Sequence, residues 1–214
     1  MKRVANLIGA NGLVGHSLVN KLLFHSEFEK VRIFVRRKTG FIHENLEEKV
    51  IDFDQPESWK HLVQGDVLFS TLGTTIKTAK TKEKQYLVDF TYQFEFAKAA
   101  AENGVPAFVL VSSMGANPKS SVFYSRMKGE LEDAVARLKF SKLIIFRPSI
   151  LDGNRREKRT GEKIGLIFSR FLTRFMLKKY RPTPIPVLTT KMIQLSVDQS
   201  EGFRMIEGIE ILND

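Results

Sequence analysis

The chain has 214 residues, no cysteine and a formal charge of +10 at neutral pH. The length favours a single domain over residues 1–214, and the lack of cysteine excludes a disulfide framework and a thiol nucleophile. It also suits a reducing cytoplasm, which is the location we expect. No apolar stretch predicts a signal peptide or a transmembrane segment.

The positive charge is concentrated in one region. Residues 155–181 hold ten Lys and Arg against two Glu, a net of +8. Such a patch suits an anionic cofactor or substrate, an acidic partner or a membrane surface. Nucleic acid is disfavoured, because helix-turn-helix, zinc-finger and aromatic RNA-binding signatures are lacking. We expect a small-molecule substrate, a monomer or homodimer, and no metal, since the histidines show no ligand spacing.

The first predicted unit is a strand, Val4 to Ile8, followed by a glycine turn and a helix. Gly9 lets the chain leave the strand in a conformation closed to other residues, Gly12 lets backbone approach a pyrophosphate, and Gly15 lets helix and strand pack closely. The helix N-terminus favours phosphate. Because the spacing differs from G-x-G-x-x-G, the flanking strand and helix carry the dinucleotide prediction. The predicted cofactor-binding residues here are Gly9, Asn11, Gly12, Leu13, Val14 and Gly15.

The second predicted strand, Val31 to Val35, ends at Arg36 and Arg37. This strand end lies beside the adenosine ribose in a βαβ unit, where an acidic residue binds the 2′-hydroxyl and arginine pairs with a 2′-phosphate. No Asp or Glu stands there, so we predict NADP(H) rather than NAD(H). The alternative is a solvated strand end without a ligand.

The third predicted strand is Glu48 to Phe53. Its last residues, Asp52 and Phe53, are expected to line the adenine pocket. Pro56 is expected to begin a brief helix, in which Trp59 packs into the core rather than against a ligand.

A fourth strand is predicted from Asp66 and runs into a small polar loop. Open α/β sheets bind ligands at the carboxyl ends of their strands, so Leu72 and Gly73 in this loop are expected to face the cofactor. A basic, mobile connection is expected from Lys77 to Lys84. Helical spacing then runs from Tyr86 to Asn103, where Asn-Gly predicts a helix end.

A fifth strand, Ala107 to Val111, is strongly apolar and therefore central, and it ends at Ser112 and Ser113. Tyr124 and Lys128 follow four residues apart on one helix face. A phenol ionises at about pH 10, and a nearby ammonium stabilises the phenolate. A serine can hold a substrate carbonyl against the tyrosine, and the lysine can reach a nicotinamide ribose. A Y-x-x-x-K pair alone is usually an ordinary surface pair, so the prediction depends on the combination.

These motifs together resemble the short-chain dehydrogenase/reductase superfamily. The resemblance is closer to its atypical branch, which includes the Tat-interacting oxidoreductase family and small bacterial NAD(P)H-binding relatives. It spans most of the chain. The motifs that carry it are G-A-N-G-L-V-G (9–15), F-V-R-R-K (34–38), S-T-L-G-T-T (70–75), L-V-S-S-M-G-A-N (110–117), Y-S-R-M-K-G-E-L-E (124–132) and F-R-P-S-I-L (146–151).

The resemblance implies a Rossmann-like, doubly wound parallel α/β sheet in three layers. It implies Tyr124 as acid/base, Lys128 as its electrostatic partner and Ser113 as carbonyl orienter, with Ser112 as the alternative. A fourth polar catalytic residue of the wider superfamily has no evident position in this sequence. The residues implied in NADP(H) binding are the glycine turn, Arg36, Arg37, Leu72, Gly73, Tyr124, Lys128, Leu151 and Arg159.

The last third of the chain predicts a sixth strand, Lys142 to Phe146, and a substrate-side segment at 152–190. Within that segment a basic amphipathic stretch, 164–177, is expected to close over the substrate end of the sheet. A membrane surface or a partner helix is the alternative target. A stiff, proline-rich connector at 182–186 is expected to precede a last helical region from Met192.

The whole pattern predicts an NADPH-dependent oxidoreductase acting on a small carbonyl or alcohol. One alternative is a non-catalytic NADPH sensor or scaffold, in which the cofactor orders the basic region 155–181 for a partner. A second is an isomerase of nucleotide sugars, which would use the same Ser, Tyr and Lys. Such epimerases usually carry a longer C-terminal substrate region than this chain has.

Overall fold

The computed structural model describes residues 2–152 and 181–213, and a seven-stranded parallel sheet lies at its centre. The strands are β1 Arg3–Ile8, β2 Phe28–Val35, β3 Leu46–Val50, β4 Val67–Ser70, β5 Ala107–Val111, β6 Lys142–Arg147 and β9 Gly202–Glu207. Their spatial order is β3-β2-β1-β4-β5-β6-β9. Two short strands, β7 Leu151–Asp152 and β8 Thr183–Pro184, pair separately.

Helices cover both faces of this sheet. They are α1 Leu13–Leu23, α2 Ile76–Ala79, α3 Lys82–Tyr86, α4 Tyr92–Glu102, α5 Phe123–Ala136 and α6 Ile185–Val197. A π-helical turn, Leu87–Thr91, joins α3 directly to α4. In the described part of the chain, three short 3₁₀ turns lie at Pro56–Ser58, Lys60–Leu62 and Gly208–Ile211.

The core has two halves because neighbouring strand residues point to opposite faces. In β1, Leu7 belongs to the half under α1 and α6, whereas Ile8 belongs to the half under α4 and α5. In the second half Trp59 is fully buried and stacks on Phe96 with ring centroids 3.9 Å apart. The arrangement confirms the predicted fold class, a three-layer Rossmann-like sheet.

The strand order reverses between β1 and β4, which places a crevice at the carboxyl edge of the sheet. In register, Ile8 at the end of β1 pairs with Ser70 at the end of β4, and Ser70 pairs with Leu110 near the end of β5. The loops that follow these strands therefore meet at one edge, where open α/β sheets bind their ligands.

Several predicted elements have different bounds in the structure. The third strand is Leu46–Val50 rather than Glu48 to Phe53, because Glu47 pairs with Arg32 of β2 and the chain turns away after Val50. The connection at 77–84, expected to be mobile, contains α2 and α3, each begun by a threonine side chain that accepts a backbone N–H.

Two differences concern the C-terminal part. The last helix begins at Ile185 rather than near Met192. Pro186 lies in its first turn, where the missing N–H of proline would have no acceptor within the helix. Strand β9 was missed because its residues are half-exposed at the sheet edge and lack a strong apolar run. Arg159, the stretch 164–177 and most of the predicted substrate-side segment 152–190 lie outside the described residues.

No helix within 2–152 or 181–213 is both long enough and apolar enough to cross a membrane.

Candidate active site

The glycine turn after β1 packs directly against the loop after β4. Gly9 has φ +91°, and a Cβ at this position would lie 2.5 Å from the carbonyl carbon of Thr71. A Cβ on Gly15 would lie 2.1 Å from the carbonyl oxygen of Gly9 and 2.7 Å from Thr71 Oγ1. Both distances are too short for any side chain, so only glycine allows this approach. A Cβ on Gly9 would also lie 2.6 Å from the backbone nitrogen of Leu72, so the turn packs directly against the backbone of this loop.

The start of α1 offers backbone donors to a ligand. Gly12 is the N-cap, no side chain caps the helix, and its first turn has no acidic residue. The Gly12 N–H bonds the Gly9 carbonyl at 2.9 Å, whereas those of Leu13 and Val14 have no acceptor among the described residues. The Val14 side chain lies in the core, so that residue presents its amide only. These two amides and the positive end of the helix dipole fit a pyrophosphate.

Arg36 and Arg37 follow β2 at the same edge of the sheet and are exposed. Within residues 2–152 and 181–213, neither guanidinium forms a hydrogen bond or ion pair. Nearby, the Tyr92 hydroxyl donates to Asp54 Oδ1 at 2.6 Å. Burial and this hydrogen bond raise the pKa of Tyr92 to about 12, so its hydroxyl stays a proton donor.

The two residues predicted to line the adenine pocket differ in their exposure to solvent. Asp52 is exposed, and its Oδ1 accepts the Asp54 N–H at 3.0 Å. Phe53 is 5% exposed and packs between Tyr92 and Phe96, with ring centroids 5.3 Å from each. Its side chain therefore lies in the core, and only its main chain is available to a ligand.

Lys128 lies on a buried face of α5 and forms an ion pair with Asp89 in the π-helical turn. The Lys128 Nζ is 3.2 Å from Asp89 Oδ1, and the two side chains are 3% and 1% exposed. The other carboxylate oxygen, Oδ2, accepts the Thr74 N–H at 2.8 Å. Burial raises the pKa of the Asp89 carboxyl, and the Lys128 ammonium and the Thr74 N–H oppose that rise.

A chain of buried hydrogen bonds, the polar chain, leads from β4 to Asp89 of this ion pair. Ser70 Oγ, at the end of β4, donates to Gln93 Oε1 at 2.7 Å. Gln93 Nε2 in turn donates to the main-chain oxygen of Asp89, also at 2.7 Å. Asp89 lies in the π-helical turn, Leu87–Thr91. The chain thus joins β4, α4 and the π-helical turn to Lys128.

Tyr124 lies one helical turn before Lys128 and is 38% exposed. The face that they share therefore runs from the surface into the core. Ser113 is half-buried, and its Oγ makes one long contact of 3.4 Å to the Met114 carbonyl. Ser112 is 6% exposed, and its Oγ has no hydrogen-bond partner among the described residues. No hydrogen bond in that part of the chain joins Tyr124 to either serine.

Contacts connect three predicted parts of the site: the glycine turn, the loop after β4 and Lys128. Gly9 contacts the backbone of Leu72, and a Cβ on Gly73 would lie 3.3 Å from Asp89 Oδ1, beside Lys128. Leu151, at the start of β7, is half-buried against the core on the α1 and α6 side. Arg159 lies outside the described residues.

Sequence reasoning missed Asp89 and Gln93. Their signal was weak but present: two polar residues, four apart, interrupt the otherwise apolar or aromatic face of a predicted helix. Both are buried, at 1% and 0% exposure. Buried polar residues need partners, and these partners come from a strand and a helix that are remote in sequence.

The fold and this site define a Rossmann-type dinucleotide-binding protein. The glycine turn and the helix α5, which carries Tyr124 and Lys128, lie at one edge of its sheet. The chain belongs to the family described as NAD(P)H-binding, which matches residues 9–163. The protein HTATIP2 of Rattus norvegicus is 35% identical over 95% of this chain and 84% of its own length. The mitochondrial protein FMP52 of Candida glabrata is 39% identical over 79% of this chain and 75% of its own length.

Solved structures share the fold. The Bordetella bronchiseptica enzyme WbmH, in complex with NAD+, has a TM-score of 0.74 at 16% identity and covers 97% of this chain and 76% of its own. A short-chain dehydrogenase/reductase superfamily protein of Agrobacterium tumefaciens, with bound NAD, has a TM-score of 0.69 at 16% identity, over 96% and 77% of the two chains. The family match and the relative HTATIP2 confirm the predicted likeness to NAD(P)H-binding proteins and to the Tat-interacting family, and the solved structures show the shared fold.

Proposed function

We propose that this protein is an NADPH-dependent reductase of a small carbonyl compound. The observation that carries the proposal is the fixed position of Lys128. An ion pair holds this lysine one helical turn from the exposed Tyr124 and beside the loop that packs on the glycine turn. A phenol next to a fixed ammonium is a suitable acid/base pair for carbonyl reduction.

The residues at the carboxyl edge suit each part of the cofactor. The amides at the start of α1 fit the pyrophosphate, and the exposed Arg36 and Arg37, which form no ion pair among the described residues, fit a 2′-phosphate. When bound, the nicotinamide would supply a hydride. We assign the remaining contacts to Asp52, to the main chain of Phe53, and to Leu72, Gly73, Leu151 and Arg159.

The protein's own side chains then handle the proton and the orientation of the substrate. Tyr124 donates its phenol proton to the carbonyl oxygen as that oxygen gains negative charge. The Lys128 ammonium stabilises the phenolate that is left. Ser113 orients the carbonyl by a hydrogen bond, and we favour it over Ser112 because it is the more accessible of the two.

A thermal-shift titration with NADPH and NADH tests the cofactor. A ligand that binds only the native state at 100 times its Kd stabilises it by about 2.7 kcal/mol, so binding raises the Tm. We expect a larger rise with NADPH. The double substitution Arg36→Ser and Arg37→Ser should abolish the difference, whereas Lys38→Ser, an exposed neighbour of the same charge, should leave it. Equal rises with NADPH and NADH in the parent protein would contradict the NADPH assignment.

Catalysis needs a separate test, because a non-catalytic NADPH sensor would pass the first one. A panel of small aldehydes and ketones is screened for NADPH oxidation. With a confirmed substrate, Tyr124→Phe should lower turnover by roughly 10²-fold or more while NADPH still raises the Tm. Full turnover by Tyr124→Phe would refute the acid/base role. NADPH binding without turnover of any carbonyl would favour the sensor.

We also propose that residues 1–214 form one domain with a substrate-side segment at 152–190, and that the protein is cytoplasmic. The fungal FMP52 relatives are named mitochondrial, which makes location a separate question for this chain. Microscopy of the tagged protein in its own cells tests it.

A further inference from the structure

Asp89 contacts both the loop after β4 and the lysine of α5. Its Oδ1 pairs with Lys128 Nζ at 3.2 Å, and its Oδ2 accepts the Thr74 N–H at 2.8 Å. Gly73, between Thr74 and the glycine turn, comes so close that a Cβ there would lie 3.3 Å from Oδ1. The carboxylate therefore ties two separate parts of the candidate site together.

The charge of this residue matters as much as its position. An ammonium as buried as that of Lys128 is costly without a counter-ion, and a lysine side chain has several rotatable bonds. Among the described residues, Asp89 is the ion-pair partner of Lys128. Asp89 is itself held by Gln93, which bonds its main-chain oxygen at 2.7 Å. The lysine is thus paired with a residue that is itself held by hydrogen bonds to its main chain and its carboxylate.

We propose that Asp89 is a positioning residue that fixes Lys128 for the nicotinamide half of the cofactor and couples it to the loop at Gly73 and Thr74. The inference rests on the proposed function, because it assigns Lys128 to the nicotinamide ribose. Asp89 has no such role for the adenosine half, which the glycine turn and Arg36 would hold. The two halves of the cofactor should therefore respond differently to a change at Asp89.

Two probes separate these halves. NADPH contains both, whereas adenosine 2′,5′-bisphosphate has the adenosine and the 2′-phosphate but no nicotinamide. Their Kd values are measured by calorimetry for the parent protein, Asp89→Asn, Lys128→Met and the double variant. Asp89→Asn keeps the size of the side chain and an oxygen for the Thr74 N–H while it removes the charge. The double variant has no buried charge at this place, so it keeps the test usable if Lys128→Met does not fold.

Glu132→Gln is the matched control. Glu132 is a buried carboxylate on α5, 4% exposed, and it pairs with Arg147 rather than with Lys128. The substitution makes the same chemical change at a similar depth. A loss that comes only from general destabilisation would appear in this variant too.

We expect Asp89→Asn to weaken NADPH roughly tenfold and to leave adenosine 2′,5′-bisphosphate unchanged, since one charged interaction is worth about that factor. The double variant should bind NADPH no more weakly than Lys128→Met, because both changes break one interaction. Glu132→Gln should alter neither Kd. If Asp89→Asn weakens both probes equally, or neither, the positioning role is wrong although the proposed function stands. A parent protein that binds neither probe would overturn the proposed function, and this inference with it.

Discussion

The glycine turn and the buried polar chain meet at one edge of the sheet, but different physics specifies each of them. The glycine turn depends on the absence of side chains: a Cβ on Gly15 would lie 2.1 Å from a carbonyl oxygen. The polar chain, which comprises Ser70, Gln93, Asp89 and Lys128, depends on side chains that satisfy one another in the core. The shape of the turn is local and excludes a Cβ at Gly9 and Gly15, whereas the polar chain is assembled from elements that are remote in sequence.

The largest effect should come from Gly15→Ala. The added Cβ would overlap the Gly9 carbonyl and Thr71 Oγ1 in a packed core, so the substitution should lower the free energy of unfolding by about 4 kcal/mol or prevent folding. Urea unfolding measures this. Gly12→Ala is the control: its Cβ would lie 3.2 Å from the same carbonyl oxygen and its φ is −81°, so it should cost far less. Equal losses in the two variants would contradict the packed turn.

Lys128→Met tests the polar chain in the same assay. It leaves the Asp89 carboxylate buried without its cation, and breaking a buried ion pair from one side costs about 3 kcal/mol. Adding Asp89→Asn should recover part of the loss, because no buried charge then remains. The same substitution at Lys98, whose exposed pair with Glu102 spans 4.0 Å, should cost less than about 0.5 kcal/mol. A cost as small as this at Lys128 would mean that the ion pair is not buried.

Two buried serines at neighbouring strand ends sharpen the comparison further. Ser70→Ala removes the donor to Gln93 Oε1 and should cost about 1–2 kcal/mol, because the amide oxygen is left without a partner. Ser112→Ala removes a hydroxyl that has no partner in the described residues, so stability should be unchanged or rise by up to about 1 kcal/mol. Thermal unfolding of both variants decides this. A loss at Ser112 that matches the loss at Ser70 would show that its hydroxyl is bonded.

The smallest effect concerns a more exposed ion pair, which serves as a reference for the buried one. Burial raises the pKa of Asp198, but hydrogen bonds from Lys142, at 2.8 Å, and from Ser200 outweigh this effect. The resulting pKa is lowered to about 2. A depressed pKa stabilises the fold above the unfolded value of about 3.9, and this contribution is lost as the pH falls toward 2. Because the side chain is 30% exposed, we expect on the order of 1 kcal/mol.

The measurement for this pair is urea unfolding of the parent protein and Asp198→Asn at several pH values. The parent should be more stable above about pH 4, and the difference should shrink as the pH falls below that value. A difference that grows on acidification would contradict the depressed pKa.

Much of the fold could be predicted because its signals are local. The strands β1, β2, β4, β5 and β6 and the helices α1, α4 and α5 all follow from apolar runs and helical spacing, and the structure confirms them. The third strand was placed too late because its charged residues satisfy each other across the sheet. Strand β9 was missed because an edge strand need not be apolar.

The candidate site divides in the same way. The glycine turn and the spacing of Tyr124 and Lys128 were evident from the sequence, and their roles remain predictions. The role of Asp89 was not evident, because the function of a carboxylate in a helix can be inferred only when the group that it contacts is known. The structure shows that group to be Lys128, 39 positions away in the printed sequence.

By itself, the sequence determined the alternation of strands and helices, the glycine turn and the likeness to NAD(P)H-binding proteins, because each is encoded in neighbouring residues. Only the tertiary structure decided that Lys128 is buried against Asp89, that Phe53 belongs to the core and that the Ser112 hydroxyl lacks a hydrogen-bond partner among the described residues. Those facts depend on which remote groups share the low-dielectric interior, where an unpaired polar atom is costly.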